Sequence, residues 1–170
     1  MKLRWNRFQI FAMASALGAF VLMVAGGFVT HTGSGLGCPD WPLCQGRVIP
    51  DFSDPSTAIE WTHRTVASIV GILVLLTMLF ARRDRRGDTR ILWAASLSFI
   101  LVVVQGALGG AVVLSELRNY LLIVAHLSLA AAFFAVAVVT AVLAFLLPKP
   151  TISPHKVGVE GTTATTEGPP

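Results

Sequence analysis

Two histidines, His63 and His126, stand inside strongly apolar stretches of the chain. An ionisable ring is costly there and tends to face the interior of a helix bundle or a cavity. If those stretches cross a membrane, both rings enter from the same side and lie ~5–8 Å below the surface, about one helical turn deep. Two neutral imidazoles at one depth on two helices are what a six-coordinate haem iron takes as axial ligands. The plainer reading, in which each ring only bonds a neighbouring hydroxyl such as Ser128 or Thr62, suits one isolated histidine better than a matched pair.

Three further side chains gather near His63 in the sequence. Glu60 precedes it by three residues and shares its face if the segment is helical. A carboxylate there can orient the imidazole or move protons at a site reached from outside; the alternative is an acid placed by the helix dipole. Arg64 falls near the outer interface, where a haem propionate would end or where a long cation would snorkel. Cys38 and Cys44 flank Pro-Asp-Trp-Pro-Leu in the outer loop. A disulfide suits an oxidising compartment and so short a loop, whereas zinc would need two more ligands and only His31 is near.

The elements that must hold these residues follow from composition. Of 170 residues, 54% are hydrophobic and 13% charged, so a soluble fold has too little polar surface to cover itself. Apolar runs cover residues 8–30, about 65–80, 91–114 and 121–147. Crossing ~30 Å of hydrocarbon takes ~20 residues, and the second run reaches that only if residues 60–64 join its helix. The first run is too long for the apolar core of a signal peptide. The expected fold is an all-α membrane protein, a four-transmembrane-helix bundle with a disulfide-bearing outer loop. Residues 1–147 form that one haem-binding domain, and residues 148–170, rich in Thr, Gly and Pro, form a disordered cytoplasmic tail.

Pro39, Pro42, Pro50 and Pro55 exclude a long helix from the outer loop, residues 31–59. Lys2, Arg4 and Arg7 precede the first run, and Arg82, Arg83, Arg85, Arg86 and Arg90 join the second to the third. The positive-inside rule therefore puts both termini and that Arg-rich link in the cytoplasm. A pI of 9.7 is thus a topology signal and not a nucleic-acid footprint. Gly106 and Gly110 have GxxxG spacing, which suits helix packing, close approach to a flat macrocycle, or self-association.

Taken together, Gly-Gly-Phe-Val-Thr-His-Thr-Gly-Ser-Gly (26–35), Cys-Pro-Asp-Trp-Pro-Leu-Cys (38–44), Ile-Glu-Trp-Thr-His-Arg (59–64) and Gln-Gly-Ala-Leu-Gly-Gly (105–110), with His126, resemble haem A synthase from about residue 8 to 147. The resemblance implies an oxidoreductase that converts the C8 methyl of haem O to a formyl group, giving haem A for terminal oxidases. It implies that His63 and His126 ligate haem iron, that Glu60 is the essential acid, and that Cys38 and Cys44 are the outer-loop pair. Members of that family are about twice this length, with two similar four-helix halves. This sequence resembles the cysteine-bearing first half; the second holds its own histidine pair and a haem b.

The expected setting is a prokaryotic cytoplasmic membrane. Haem O and haem A would be substrate and product, with haem B a further candidate for binding. Expected partners are the lipid bilayer, an electron donor, a haem O synthase, a terminal oxidase and a second copy of the chain in a homo-oligomer. Two other functions compete. One is a bis-histidine cytochrome that only carries electrons; the other is a disulfide-exchange membrane protein, which normally needs a second reactive cysteine pair that this sequence lacks.

Overall fold

Each apolar run becomes a helix that begins on an Asn or Asp cap. The computed structural model describes residues 5–147, so the tail expected at 148–170 lies outside the described residues. Helix α1 spans Arg7–Thr32, α2 Pro55–Asp84, α3 Thr89–Leu114 and α4 Tyr120–Leu146. Asn6, Asp54, Asp88 and Asn119 accept first-turn backbone N–H groups, which have no partner within the helix. In α1 the cap is reciprocal, because Gln9 also accepts from the Asn6 N–H. All four helices are long and apolar enough to cross a membrane. The protein is an all-α membrane protein, as its composition requires.

Two boundaries differ from the sequence reading. The outer loop is shorter than residues 31–59 because α2 already starts at Pro55. Proline at the first helical position gives up an N–H that would have no helical acceptor, so here it starts a helix instead of breaking one. Residues 60–64 therefore lie well inside α2. His31 belongs to the last turn of α1, which ends when Gly33 takes the left-handed conformation at φ 68°.

Each helix packs on its sequence neighbour, and α4 closes the ring against α1. The two hairpins, α1–α2 and α3–α4, repeat one another in their buried register. Phe8, Ala12 and Ser15 are buried on α1 with the same spacing as Ile91, Ala95 and Ser98 on α3. Likewise Val70, Val74, Thr77 and Ala81 on α2 match Phe133, Ala137, Thr140 and Ala144 on α4. The polar layer repeats too: the Ser15 and Thr77 hydroxyls lie 3.0 Å apart, and those of Ser98 and Thr140 3.2 Å apart. Each threonine also donates to the carbonyl four residues back in its own helix. Both pairs border one central cavity of about 10 Å³, room for one water at most. The hairpins are thus related by an approximate twofold axis along the bundle.

The Arg-rich end is sealed by Arg85, whose side chain is 2% exposed. It donates to the carbonyls of Leu147 and Ala144, which terminate α4, and its guanidinium stands 5.5 Å over the Phe8 ring. A cation at a helix C-terminus meets the negative end of the helix dipole and caps carbonyls that the helix leaves unpaired. The opposite end carries the cysteine loop and both histidines.

Candidate functional site

The twofold repeat fixes the depth of the histidines. His63 and His126 stand at identical sequence separations from Thr77 and Thr140, which flank the same cavity. At 1.5 Å per residue both lie ~21 Å from that layer, towards the loop end. Each ring is seated against a glycine of the preceding helix. A Cβ built on Gly26 of α1 would lie 3.3 Å from His63 Cε1, and one on Gly109 of α3 would lie 3.1 Å from His126 Cε1. Gly26 and Gly109 are themselves equivalent in the repeat. Larger residues there would push the rings out of place.

In both rings Nδ1 is buried and has no hydrogen-bond partner. Neither histidine therefore uses that nitrogen to satisfy a neighbouring hydroxyl. His126 is held by Gln105, whose Nε2 donates to the His126 carbonyl at 3.0 Å and lies 3.4 Å from His126 Nε2. Which of the two nitrogens donates across that 3.4 Å contact depends on the tautomer of the His126 ring. His63 has no such amide beside it, because the equivalent α1 position is Leu22.

Glu60 is 5% exposed and bonds to Arg64, Nε to Oε1 at 2.8 Å, one turn along α2. It makes no recorded bond to His63, so it shares the face of the imidazole without orienting it. Arg64 spends its other donors on the cysteine loop. Nη1 donates to the carbonyls of Asp40 (2.7 Å) and Leu43 (3.0 Å), and Nη2 to that of Cys38 (2.7 Å). These bonds take four of its five N–H groups, so the guanidinium expected to meet a haem propionate is chiefly a strap for the loop.

The loop is tied down elsewhere as well. Cys38 and Cys44 form a disulfide, and both cysteines are buried. Thr57 donates to the Gly37 carbonyl and accepts from Gln45. A Cβ at Gly37 would collide with the Ser56 backbone, so only glycine allows this approach. Asp40 accepts the N–H groups of Gly46 and Gln45. Those bonds, Gly46 first, hold its carboxyl below the ordinary value. Thiol labelling of denatured, membrane-isolated protein should detect no free cysteine until reductant is added. Full labelling without reductant would contradict both the disulfide and an oxidising side for the loop.

Trp41, at the tip of the ring closed by the disulfide, was not singled out from sequence. Its indole lies on α3 at Gly110, where a Cβ would come within 2.8 Å of the ring. Gly106 faces open space. The GxxxG pair is therefore not a continuous face for another helix within the bundle: its buried glycine receives a side chain from the loop. The loop thus touches α2 through Arg64, beside His63, and α3 through Trp41, beside the glycine that seats His126. Among the described residues no cluster of three or more acidic, histidine or cysteine side chains could hold a bare metal ion. The donors are two imidazoles on apolar helices, which suits a metal carried in a flat organic ligand.

A family model described as "Cytochrome oxidase assembly protein" (COX15-CtaA) matches residues 9–165. Heme A synthase of Shouchella clausii is 40% identical over 133 residues, covering 77% of this chain and 44% of that protein. Heme A synthases of Geobacillus kaustophilus and Alkalihalophilus pseudofirmus are 34% and 35% identical, covering 89% and 82% of this chain and 47% of each relative. The chain spans about half the length of the curated relatives it matches.

Proposed function

Since the chain belongs to the COX15-CtaA family of cytochrome oxidase assembly proteins, we propose that it works in haem A synthesis as an oxidoreductase. Its substrate is haem O, and the C8 methyl becomes a formyl group. The observation that carries this reading is the imidazole pair: equivalent in register, each seated on a glycine, each with an Nδ1 that no protein group uses. The residues present fit a haem. Nitrogen donors on α2 and α4 are the ligand type that iron porphyrins take, and glycine at both seats lets each ring lie close against the neighbouring helix. His63 and His126 hold the iron of the substrate.

The reaction is two successive oxygenations of the methyl group. Each consumes one O₂, two electrons and two protons and releases one water, and the resulting gem-diol loses water to give the aldehyde. The electrons come from a membrane electron donor. Glu60 handles protons one turn from His63, and Arg64 keeps it paired between turnovers. The strapped loop, with Trp41 seated on Gly110, shields the histidine end from water. By the positive-inside rule that end faces outward and the Arg-rich end lies in the cytoplasm of a prokaryotic cell.

The test is co-expression with a haem O source, followed by chromatography of the extracted haems. Haem A should accumulate and depend on the chain. Bound haem B with no haem A would instead support an electron-carrying cytochrome. Glu60→Gln keeps the size of the side chain but removes its charge, so haem should still bind while haem A yield falls about a hundredfold, the lower end of the range for loss of a general acid–base. An unchanged yield would return Glu60 to a purely structural pairing with Arg64.

A further inference from the structure

Gln105 is 9% exposed, and its amide carries an acceptor that the protein leaves unused. Its orientation is fixed by chemistry: the His126 carbonyl can only accept, so the end of the amide facing it is the NH₂ group. The other end, Oε1, is buried and has no hydrogen-bond partner. A buried, unsatisfied acceptor forfeits its hydration with no return, and such groups call for an explanation.

The fold does not need an amide at this position. The twofold repeat places Leu22 of α1 in the equivalent register, where it packs against the buried cluster of Ala19, Val70, Val74, Phe133 and Ala137. The amide is therefore specific to the second hairpin, and it stands 3.4 Å from the ring nitrogen of His126. The first hairpin carries the opposite asymmetry, with Glu60 and Arg64 where the second has Ile123 and Leu127. The carboxylate with its cation and the amide thus sit on different hairpins of one site.

We propose that Gln105 is a specificity-determining residue: its Oε1 accepts a hydrogen bond from a hydroxyl on the periphery of the porphyrin ligated by His126. This rests on the haem reading above and deepens it. Haem O differs from haem B in bearing a hydroxylated alkyl chain in place of one vinyl group, so an acceptor aimed at that hydroxyl selects the substrate class. A porphyrin without the hydroxyl leaves Oε1 unpaired, and it is this penalty that discriminates.

Two synthetic probes isolate the hydroxyl. Iron haematoporphyrin carries two hydroxyethyl groups where iron mesoporphyrin carries two ethyl groups, and the macrocycles are otherwise the same. Each is titrated into the haem-free chain in nanodiscs, following the low-spin absorption band. The ratio of the two affinities should shift about tenfold towards mesoporphyrin in Gln105→Leu, the weight of one hydrogen bond in binding. Gln105→Met, a close match in length, should give the same shift and guards against a folding defect peculiar to leucine. A merely structural role for Gln105, or one exerted only on His126, weakens both probes alike and leaves the ratio unchanged; that result overturns the proposal. A wild-type chain that forms no low-spin complex with either porphyrin overturns the haem reading and this inference with it.

Discussion

Replacing either His63 or His126 by alanine should abolish the low-spin spectrum expected of the haem-loaded protein. Two imidazoles in axial positions give six-coordinate, low-spin iron, and removing one leaves five-coordinate, high-spin iron or none at all. The twofold repeat makes both losses expected, because the two rings sit in equivalent registers and on equivalent glycines. They need not be equal, since Gln105 holds His126 and nothing comparable holds His63. The measurement is the oxidised and reduced absorption spectrum of each purified variant, with haem quantified per chain. A wild-type low-spin spectrum in either variant would remove that histidine from the iron. Gly109→Val supplies an independent check, because it leaves both histidines in place but crowds the seat of His126. Its spectrum should move towards high-spin as well.

Hydropathy alone put both histidines at one end of the bundle and at matched depth. An apolar run fixes a helix, the run's edge fixes depth, and two runs entering from one side fix matched depth; none of this needs long-range information. The start of α2 was missed because Pro55 reads as a breaker when counted with its neighbours and as a helix start only when paired with the Asp54 cap. Gly106 and Gly110 misled for a different reason. Spacing shows that a face is small, but not what fills it, and at Gly110 the occupant is an indole from a distant loop.

Arg64 had two local readings, a snorkelling cation or a propionate anchor. Neither could foresee three carbonyls more than twenty residues away. The hairpin repeat was present in the sequence but hidden, because small and apolar residues interchange freely while their register persists. Comparing the first half of the bundle with the second, position by position, would have exposed the matched Ser, Thr, Gly and His. It would also have singled out Gln105 against Leu22.

Removing Arg64 should cost the protein about 3 kcal/mol of stability, in the range for breaking a buried ion pair from one side. Arg64→Ala strands the Glu60 carboxylate, which is 5% exposed, and withdraws the donors from the carbonyls of Cys38, Asp40 and Leu43. Arg64→Lys keeps the charge but offers a compact ammonium in place of a planar fork, so it should recover the pairing with Glu60 and only part of the loop. The two contributions separate in a double variant: with Glu60→Gln also present, the loss from Arg64→Ala should shrink, because no charge is left stranded. Thermal unfolding in a mild detergent gives the stabilities. Hydrogen exchange across residues 38–44 reports the loop, which should lose protection in Arg64→Ala even though the disulfide persists. If Arg64 instead served only to bind a propionate, stability and loop protection would stay at wild-type values and haem affinity alone would fall. The strap assignment therefore stands or falls on the haem-free protein.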